Sequence, residues 1–327
     1  LEIQSEVEII KTSQSVGNLL ESENSPSYLR LTYNNEFNFY NYNLFFDFSN
    51  GVLDKNTVYV DPPFIHSKAV YVKRKLKGVD ISLGLSHYVI WGGETSIGLY
   101  GYGGKMPTGF KNFLRVVGGN PGDDSAPDTE QNALGDAFGM WDFSLKKINN
   151  KMSLLAYYQN YFNDGSGMEF KNNFDGLWGL EIFNEKNSFL VEYLKTTHQS
   201  GNFHPPGVDS YYWNGLYYLG WTYEGLVVGT PYVTPYDNRV KLFNFSYSYE
   251  DDKFSTGFSA IYIDRFISFN GAQMNEEIDL SNDRPVSDYE FNLFFKNKFR
   301  KNLFYTINIF KSKSLNEGSS LKIEYLF

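Results

Sequence analysis

Aromatic, carboxylate and amide side chains gather in the central connections of the chain, a combination that suits sugar recognition. An aromatic ring stacks on the apolar face of a pyranose, and acids and amides pair with hydroxyl groups that are costly to leave unpaired. Trp213 is the leading candidate because VDSYYWNG (208–215) lies in a long connection. Trp and Tyr also form the interfacial belts of membrane proteins, so that alternative stays open. The candidate sugar-binding set is Asp164, Asp175, Trp178, Glu192, Gln199, Tyr211, Tyr212, Trp213, Trp221 and Asn238.

The histidines, at positions 66, 87, 198 and 204, give little support to catalysis. His198 and His204 share a connection with Asp209 that could hold a metal or act as a base, but the spacing matches no zinc pattern. His87 falls on the apolar side of an alternating segment, which predicts an interfacial or packed ring. A Ser-His hydrolase would need a marked serine, and cysteine is absent. We therefore predict no catalytic residue, no enzyme activity and no cofactor.

One acidic stretch, GNPGDDSAPDTE (119–130), has the oxygen-rich composition of calcium-binding loops. Its acidic residues do not have the spacing of an EF-hand, and such stretches are commonly solvated loop tips. We predict no metal site, with a calcium site as the weaker alternative. That alternative would use Asp123, Asp124, Asp128 and Glu130.

The charge of the chain excludes one class of partner. The net charge is −9, and the basic residues cluster only in KRKLKG (73–78), which fits a hairpin end. A nucleic-acid surface needs a basic stripe, so we predict no nucleic-acid partner. The first residues, LEIQSEVEII, show no secretory signal, so we expect that the signal has been removed or left out of the sequence.

Two-residue alternation is the main structural signal of the chain. In the last segment, Leu321, Ile323, Tyr325 and Phe327 share one side of an extended strand. The same period recurs in VDISLGLSHYVI, KLFNFSYSYE, FSTGFSAIYI, YEFNLFFKNK and NLFYTINIFK. Aromatic residues make up 18% of the chain, and no run of 18 apolar residues exists to form a membrane-spanning helix. Alternating strands can still span a membrane, because only half of their residues face lipid.

Connection lengths alternate between tight and long along the chain. Tight turns are predicted at 40–41, 76–78, 147–150, 184–187, 250–253 and 297–301, and long connections at 51–65, 91–134, 163–175, 199–214 and 267–285. Outer-membrane barrels have short periplasmic turns and long outer loops. The pattern therefore predicts an all-β fold, a single antiparallel transmembrane barrel over residues 1–327 in a bacterial outer membrane.

The predicted barrel has about 16 strands, within a range of about 14 to 18. LYYLGWTYEGLVVGTP (216–231) is counted as one of its hairpins. The last strand (318–327) is expected to pair with a first strand near residues 2–11 and close the sheet. Its odd residues would face lipid, with Phe327 at the periplasmic aromatic girdle. A terminal Phe there resembles the end signature of bacterial outer-membrane proteins.

Five stretches in the middle of the chain have distinctive sequences. They are GMWDFSL (139–145), YYQNYFNDGSGM (157–168), DGLWGLEIF (175–183), EYLKTTHQSG (192–201) and GWTYEGLVVGTP (220–231). In this order they resemble the Wzi-type capsule-assembly outer-membrane proteins, especially those of Bacteroidota. The resemblance implies an outer-membrane barrel that holds capsular polysaccharide in a lectin-like, non-catalytic way. The best-known members carry a helical plug on the periplasmic side, and this chain shows no amphipathic helix at its start.

Three functions remain open at this point. The first is a non-catalytic barrel that binds or anchors surface polysaccharide, as the resemblance implies. The second is a structural or accessory subunit of a larger outer-membrane complex, and the third is a diffusion porin. The corresponding partners are outer-membrane lipid, capsular or surface polysaccharide, and other outer-membrane proteins.

Bulky apolar residues on the inward side of the predicted barrel bear on whether it conducts. These residues are Ile261, Ile263, Phe294, Phe304, Phe310 and Leu326. Leaving each one wet would cost roughly 1.5 to 3 kcal/mol relative to burial, so we expect something to cover them. The long connection 91–134, which contains PTGFKNFLRVV, is predicted to fold inward and constrict the barrel. Deleting residues 105–130 is then expected to open a channel.

Overall fold

The structure, a computed structural model, describes residues 15–16, 20, 30–53, 59–95, 104–123, 126, 133–149, 151–199, 210–217, 220–268, 283–300, 303–314 and 316–325. Strands dominate these residues. They are β1 Arg30–Phe39, β2 Tyr42–Val52, β3 Tyr59–Asp61, β4 Phe64–Leu76, β5 Val79–Trp91, β6 Glu94–Thr95, β7 Asp136–Lys147, β8 Ser153–Phe162, β9 Gly176–Phe183, β10 Asn187–Lys195, β11 Thr222–Tyr223, β12 Leu226–Val227, β13 Val240–Glu250, β14 Phe254–Arg265, β15 Val286–Arg300, β16 Leu303–Ser312 and β17 Asn316–Tyr325. The helices are α1 Phe110–Gly118 and α2 Gly165–Met168. Neither described helix is long and apolar enough to cross a membrane.

One antiparallel sheet of 13 strands contains nearly all of this structure, in the order β1-β2-β4-β5-β7-β8-β9-β10-β13-β14-β15-β16-β17. Each strand pairs with the next sheet strand along the chain, as in an up-and-down barrel. The predicted all-β barrel fold is confirmed. The predicted first strand near residues 2–11 and the terminal Phe327 lie outside the described residues. Within the described residues the sheet has 13 strands, against the predicted number of about 16.

Alternation along each strand separates two chemically different faces. On β13, Phe243 and Phe245 are exposed, whereas Leu242 and Asn244 are fully buried. The register carries this separation across the sheet, since Leu242 lies opposite Ile263 on β14. Exposed aromatic and aliphatic side chains recur on the same face from β1 to β17. A face of this composition is the lipid-facing surface of an outer-membrane barrel, so the opposite face lines the lumen.

Tight turns join the strands at one end of the barrel, as predicted. β4 ends at Leu76 and β5 begins at Val79, so two residues connect them. Both have positive φ, 49° for Lys77 and 81° for Gly78, as a two-residue hairpin turn of right-handed twist requires. At the β13–β14 turn, Asp251 accepts hydrogen bonds from the backbone N–H groups of Lys253 and Phe254. The long connections all leave from the opposite, extracellular end.

The stretch 216–231 is not a barrel hairpin, so that part of the predicted strand count was wrong. It forms only the two-residue strands β11 and β12, which pair with each other. Leu216, Tyr217 and Trp221 are almost completely buried in a cluster with inward-facing residues of the barrel strands. These three residues therefore lie inside the barrel, whereas Glu224 and Leu226 near the tip of the β11–β12 hairpin are exposed. The glycines of the stretch permit a compact path, and Gly220 and Gly225 both have positive φ.

A second apolar cluster lies on the outer face. Val89 and Trp91 of β5 and Ala137 of β7 pack there with Val116 of α1 and with Leu134. Val89 lies opposite Ala137 in the register, on the same outward parity as the exposed Leu83. Helix α1 therefore covers the outside of the sheet at its extracellular end. Of the connection 91–134, Met106 joins the inner cluster.

Candidate functional site

The segment 210–239 fills much of the lumen with aromatic side chains. Phe138, which points inward from β7, lies at the centre of this packing and is fully buried. Its ring centroid lies 5.5 Å from Tyr211, 5.6 Å from Tyr212 and 6.0 Å from Trp221. Val233 of the same segment packs with these rings and with the inward faces of the strands. The contact of Phe138 with Tyr211 is edge-to-face and the other two are tilted, and such aromatic pairs add to the stability gained from burial of apolar area.

A buried carboxylate fixes the strands to the lumen contents. Glu192 on β10 is fully buried and accepts four hydrogen bonds. Two come from the barrel, from Tyr157 Oη at 2.5 Å and Asn244 Nδ2 at 2.9 Å. Two come from the start of the chain, from Ser15 Oγ at 2.5 Å and the N–H of Val16 at 2.9 Å. Charged acceptors make the stronger hydrogen bonds, so Glu192 holds residues 15–16 inside the barrel.

Thr230 provides a second attachment for the same early residues. Its Oγ1 donates a hydrogen bond to the carbonyl oxygen of Val16 at 2.5 Å. Val16 and Leu20 are buried in the inner cluster with Trp221 and Val233. The early residues, the central segment and the strands therefore pack as one body in the described part of the chain.

At the extracellular rim, a buried aspartate joins two connections and the end of β10. Asp175 Oδ2 accepts hydrogen bonds from the backbone N–H groups of His198 at 2.9 Å and Gln199 at 2.7 Å, and Lys195 Nζ lies 3.3 Å from Oδ1. Burial raises the pKa of Asp175 to about 6, against the opposing effect of these N–H groups and of Lys195. Gln199 Nε2 in turn donates to Asn238 Oδ1 at 2.9 Å. These hydrogen bonds hold the carboxylate and one end of each amide in place, whereas the buried Gln199 Oε1 has no hydrogen-bond partner among the described residues.

Two arginines hold the end of the central segment in place. Arg239 donates to the carbonyl oxygens of Thr197 and Ile267 and forms an ion pair with Asp283 at 3.0 Å. Arg265 of β14 forms an ion pair with Asp237 at 2.5 Å. Burial lowers the pKa of Arg239, and the ion pair opposes that effect. The turn 234–237 between them is thus fixed on both sides.

Two aromatic residues remain accessible on this fixed rim. Tyr236 on the turn is 60% exposed, and Trp213 is half-buried. The residues that precede them, Tyr212 and Pro235, both pack closely against Gly220. A Cβ on Gly220 would lie 1.8 Å from the carbonyl oxygen of Tyr212 and 2.9 Å from Cγ of Pro235. Trp213 and Tyr236 therefore each follow a residue that is packed against Gly220. Such a rim can offer aromatic faces without ordering a flexible loop.

The predicted sugar-binding residues fall into separate places. Asp175, Gln199 and Asn238 come together at the rim, and Tyr211, Tyr212, Trp221 and Glu192 are buried in the lumen. Trp178 lies on the outward face, where its ring stacks on Tyr158 with centroids 3.8 Å apart. Asp164 Oδ1 accepts a hydrogen bond from the N–H of Gly167 at the start of α2. Trp213 alone keeps a position at the accessible rim among the predicted aromatic residues.

The predicted metal candidates are mostly outside the described residues. This applies to His204, Asp209, Asp124, Asp128 and Glu130. Asp123 lies 3.9 Å from the guanidinium of Arg115. Across the described ranges, no group of three His, Asp or Glu side chains could hold a metal ion. His87 is packed against Phe162 with ring centroids 6.5 Å apart, as its apolar parity predicted.

Sequence reasoning missed the inner aromatic residues and the outer helix. Phe138 and Tyr161 lie on the inward parity of their strands, which was a usable signal for lumen packing. Phe113, Val116 and Val117 have helical spacing, and Gly119 ends the helix with φ 64°. The sequence around Tyr236 does not predict its exposure, because that exposure depends on the contacts that fix the turn 234–237.

Comparison with known proteins bears on the identity of the chain. Residues 27–253 match the family of the capsule assembly protein Wzi. No curated protein sequence matches the chain. Two solved structures are similar in part. The crystal structure of Pseudomonas aeruginosa OccK5 (OpdH) has a TM-score of 0.31 and 10% identity, over 91% of this chain and 96% of that one. Acinetobacter baumannii OccAB4 has a TM-score of 0.30 and 10% identity, over 90% and 95%. Because the family match covers more than half of the sequence and falls on the barrel strands and the lumen segment, the chain belongs to the Wzi family of capsule assembly proteins and lies in the bacterial outer membrane.

Proposed function

We propose that this barrel holds surface polysaccharide at the extracellular rim without catalysing a reaction. The observation that carries the proposal is the pair of accessible aromatic residues, Trp213 and Tyr236, on a rim fixed by buried polar contacts. Aromatic faces held in place can stack on sugar rings at a low cost in conformational entropy. The polysaccharide is of the capsular or surface class, in keeping with the family.

The predicted sugar-binding residues that are buried have a structural role in this proposal. Asp175, Gln199 and Asn238 are hydrogen-bonded to one another or to nearby backbone, so they fix the rim instead of meeting sugar hydroxyls. Below them, Glu192 holds residues 15–16, and Trp221 packs in the inner apolar cluster. A glycan would therefore lie across the outer surface of the rim, and would not thread through the barrel.

Binding of purified capsular polysaccharide from an encapsulated strain of the source bacterium tests this proposal. The detergent-solubilised protein and its Trp213→Ala and Tyr236→Ala variants are compared by surface plasmon resonance. Loss of one stacking contact is expected to weaken binding by up to about tenfold. Tyr262→Ala is the matched control, because Tyr262 is a similarly exposed aromatic on the lipid-facing side. Equal binding by all four proteins would contradict the proposed rim site.

The diffusion porin is the second candidate, and one observation favours it. Phe310 points inward from β16 and is still 38% exposed, so the packing on that side of the lumen is incomplete. An aqueous path along β15–β17 would expose such a residue. Conductance in a planar bilayer distinguishes this candidate from a closed barrel.

A further inference from the structure

The outward face of the barrel carries polar side chains where lipid would be expected. His66 and Lys68 on β4 share the parity of the exposed Val70, and Lys68 lies opposite His87 on β5. A lysine on the lipid face is unfavourable, most at the bilayer midplane and less toward the interface. These three residues therefore need a cover near the extracellular end of the strands.

Helix α1 provides that cover. Lys68 Nζ donates a hydrogen bond to the carbonyl oxygen of Val117 at the end of the helix, where a cation also suits the helix dipole. The ring of Phe113 lies 5.8 Å from His66 and 5.9 Å from Trp91, centroid to centroid. The helix thus separates a polar patch of the sheet from the surroundings of the barrel.

The helix itself has three distinct faces. Phe113 and Val116 pack against the sheet, and successive residues are rotated by about 100° around the axis. Phe110 and Leu114 form an apolar strip beside that packed face, and they are 74% and 51% exposed. Lys111 and Arg115 form the next strip, farther from the sheet. An apolar strip bordered by basic residues is the pattern of helices that lie in a membrane interface.

We propose that α1 is a membrane-interface anchor that inserts Phe110 and Leu114 into the outer leaflet and turns Lys111 and Arg115 toward anionic lipid headgroups. Continuity supports lipid as the occupant, because the exposed Val70 and Leu83 of the strands below belong to the lipid-facing band of the barrel. Charge supports it as well, since the helix contains two basic residues and no acidic one, and Lys111 is exposed; Arg115 also lies 3.9 Å from Asp123, so Lys111 contributes more of the attraction. The anchor would keep the rim at a fixed height above the bilayer.

Site-directed spin labelling tests the anchor directly, because the chain contains no native cysteine. A nitroxide is attached to Leu114→Cys in vesicles of phosphatidylcholine with phosphatidylglycerol. We expect the label to be more accessible to oxygen than to the water-soluble nickel complex NiEDDA, as for a lipid-facing reference label at Leu83→Cys. A label at Tyr236→Cys on the rim gives the aqueous reference, and heat-modifiable gel migration checks that each variant is folded.

Two outcomes would overturn the anchor. The first is a Leu114 label as accessible to NiEDDA as the Tyr236 label. The second is a label that becomes shielded only when an outer-membrane extract is added, which would identify a protein as the occupant. The electrostatic part has its own test in the double change Lys111→Glu and Arg115→Glu. This change should make the label shallower in anionic vesicles and leave it unchanged in pure phosphatidylcholine, and an equal depth in anionic vesicles would refute that part.

Discussion

The inward faces of two adjacent strand pairs differ sharply in their surroundings. On β13 and β14, Leu242, Asn244 and Ile263 are almost completely buried. On β15 and β16, Asn292 is exposed and Phe310 is 38% exposed, although β14 and β15 are hydrogen-bonded neighbours in one sheet. The strands have the same geometry, so the difference comes from the segment 210–239, which packs on one side of the lumen.

This difference shows that strand parity sets which residues point inward but does not set whether they are buried. Burial depends on where a connection folds back. Tyr232 marks the edge of the packed side, since its ring packs on the inner cluster and its hydroxyl donates to Glu290 on β15 at 3.1 Å. Beyond this contact the inward residues are more polar and more exposed.

The largest expected effect of this asymmetry is on stability. Leu242→Ala on the packed side should lower the free energy of unfolding by about 2 to 5 kcal/mol, since the side chain is fully buried and its removal leaves a cavity. Phe310→Ala removes more atoms than Leu242→Ala. It should nevertheless lower the free energy of unfolding by less than the roughly 3 to 5 kcal/mol that is typical of a buried Phe. Urea titration in detergent micelles measures the free energy of unfolding of both variants. A larger loss for Phe310→Ala would contradict the asymmetry.

A smaller difference is expected between two inward carboxylates. Glu192→Gln replaces an acceptor oxygen with an NH₂ group that faces existing donors. It should lower the free energy of unfolding by about 1.5 to 3 kcal/mol. Glu290→Gln changes a half-buried group that accepts from Tyr232, and it should cost less than about 1 kcal/mol. Proteolysis within residues 15–20 offers a second readout, because Glu192 holds these residues. Equal effects of the two changes on stability would contradict the comparison.

The smallest expected effect concerns pH and lies at the rim. Burial raises the pKa of Asp175 to about 6, above its ordinary value of 3.8. The folded state therefore binds this proton more tightly than the unfolded state does, so this group's contribution favours folding at low pH and declines as pH rises from about 4 to about 6. Asp175→Asn should flatten that part of the stability curve. A variant whose curve keeps the full decline would show that Asp175 is not responsible.

Much of the fold could be predicted from the sequence, because lipid imposes a two-residue period on every spanning strand. The exposure of Phe243, Phe245, Ile307 and Ile309 follows from that period. The tight turns follow from residues such as Gly78, where the required backbone is left-handed. These signals are local, and they are repeated along the chain.

The candidate site could be predicted only in part, because local pattern does not show where a connection packs. Trp178 and Trp221 both occur beside glycines, yet Trp178 faces lipid on β9 and Trp221 is buried in the lumen. Trp221 follows Gly220, whose close approach to Tyr212 and Pro235 depends on residues distant in sequence. Helix α1 was not predicted, because the connection 91–134 was expected to fold inward without secondary structure of its own, although FKNFLRVVG (110–118) has helical spacing.

Ion conductance in a planar lipid bilayer shows whether the lumen is open or closed. We expect the lumen to be closed mainly by the segment 210–239, so that the rim holds glycan and the barrel does not serve as a pore. The intact protein should show little or no steady conductance. Replacing residues 214–233 with a short Gly-Ser linker should open a channel, and by more than deletion of residues 105–130. A large and steady conductance from the intact chain would contradict the account and favour a diffusion porin.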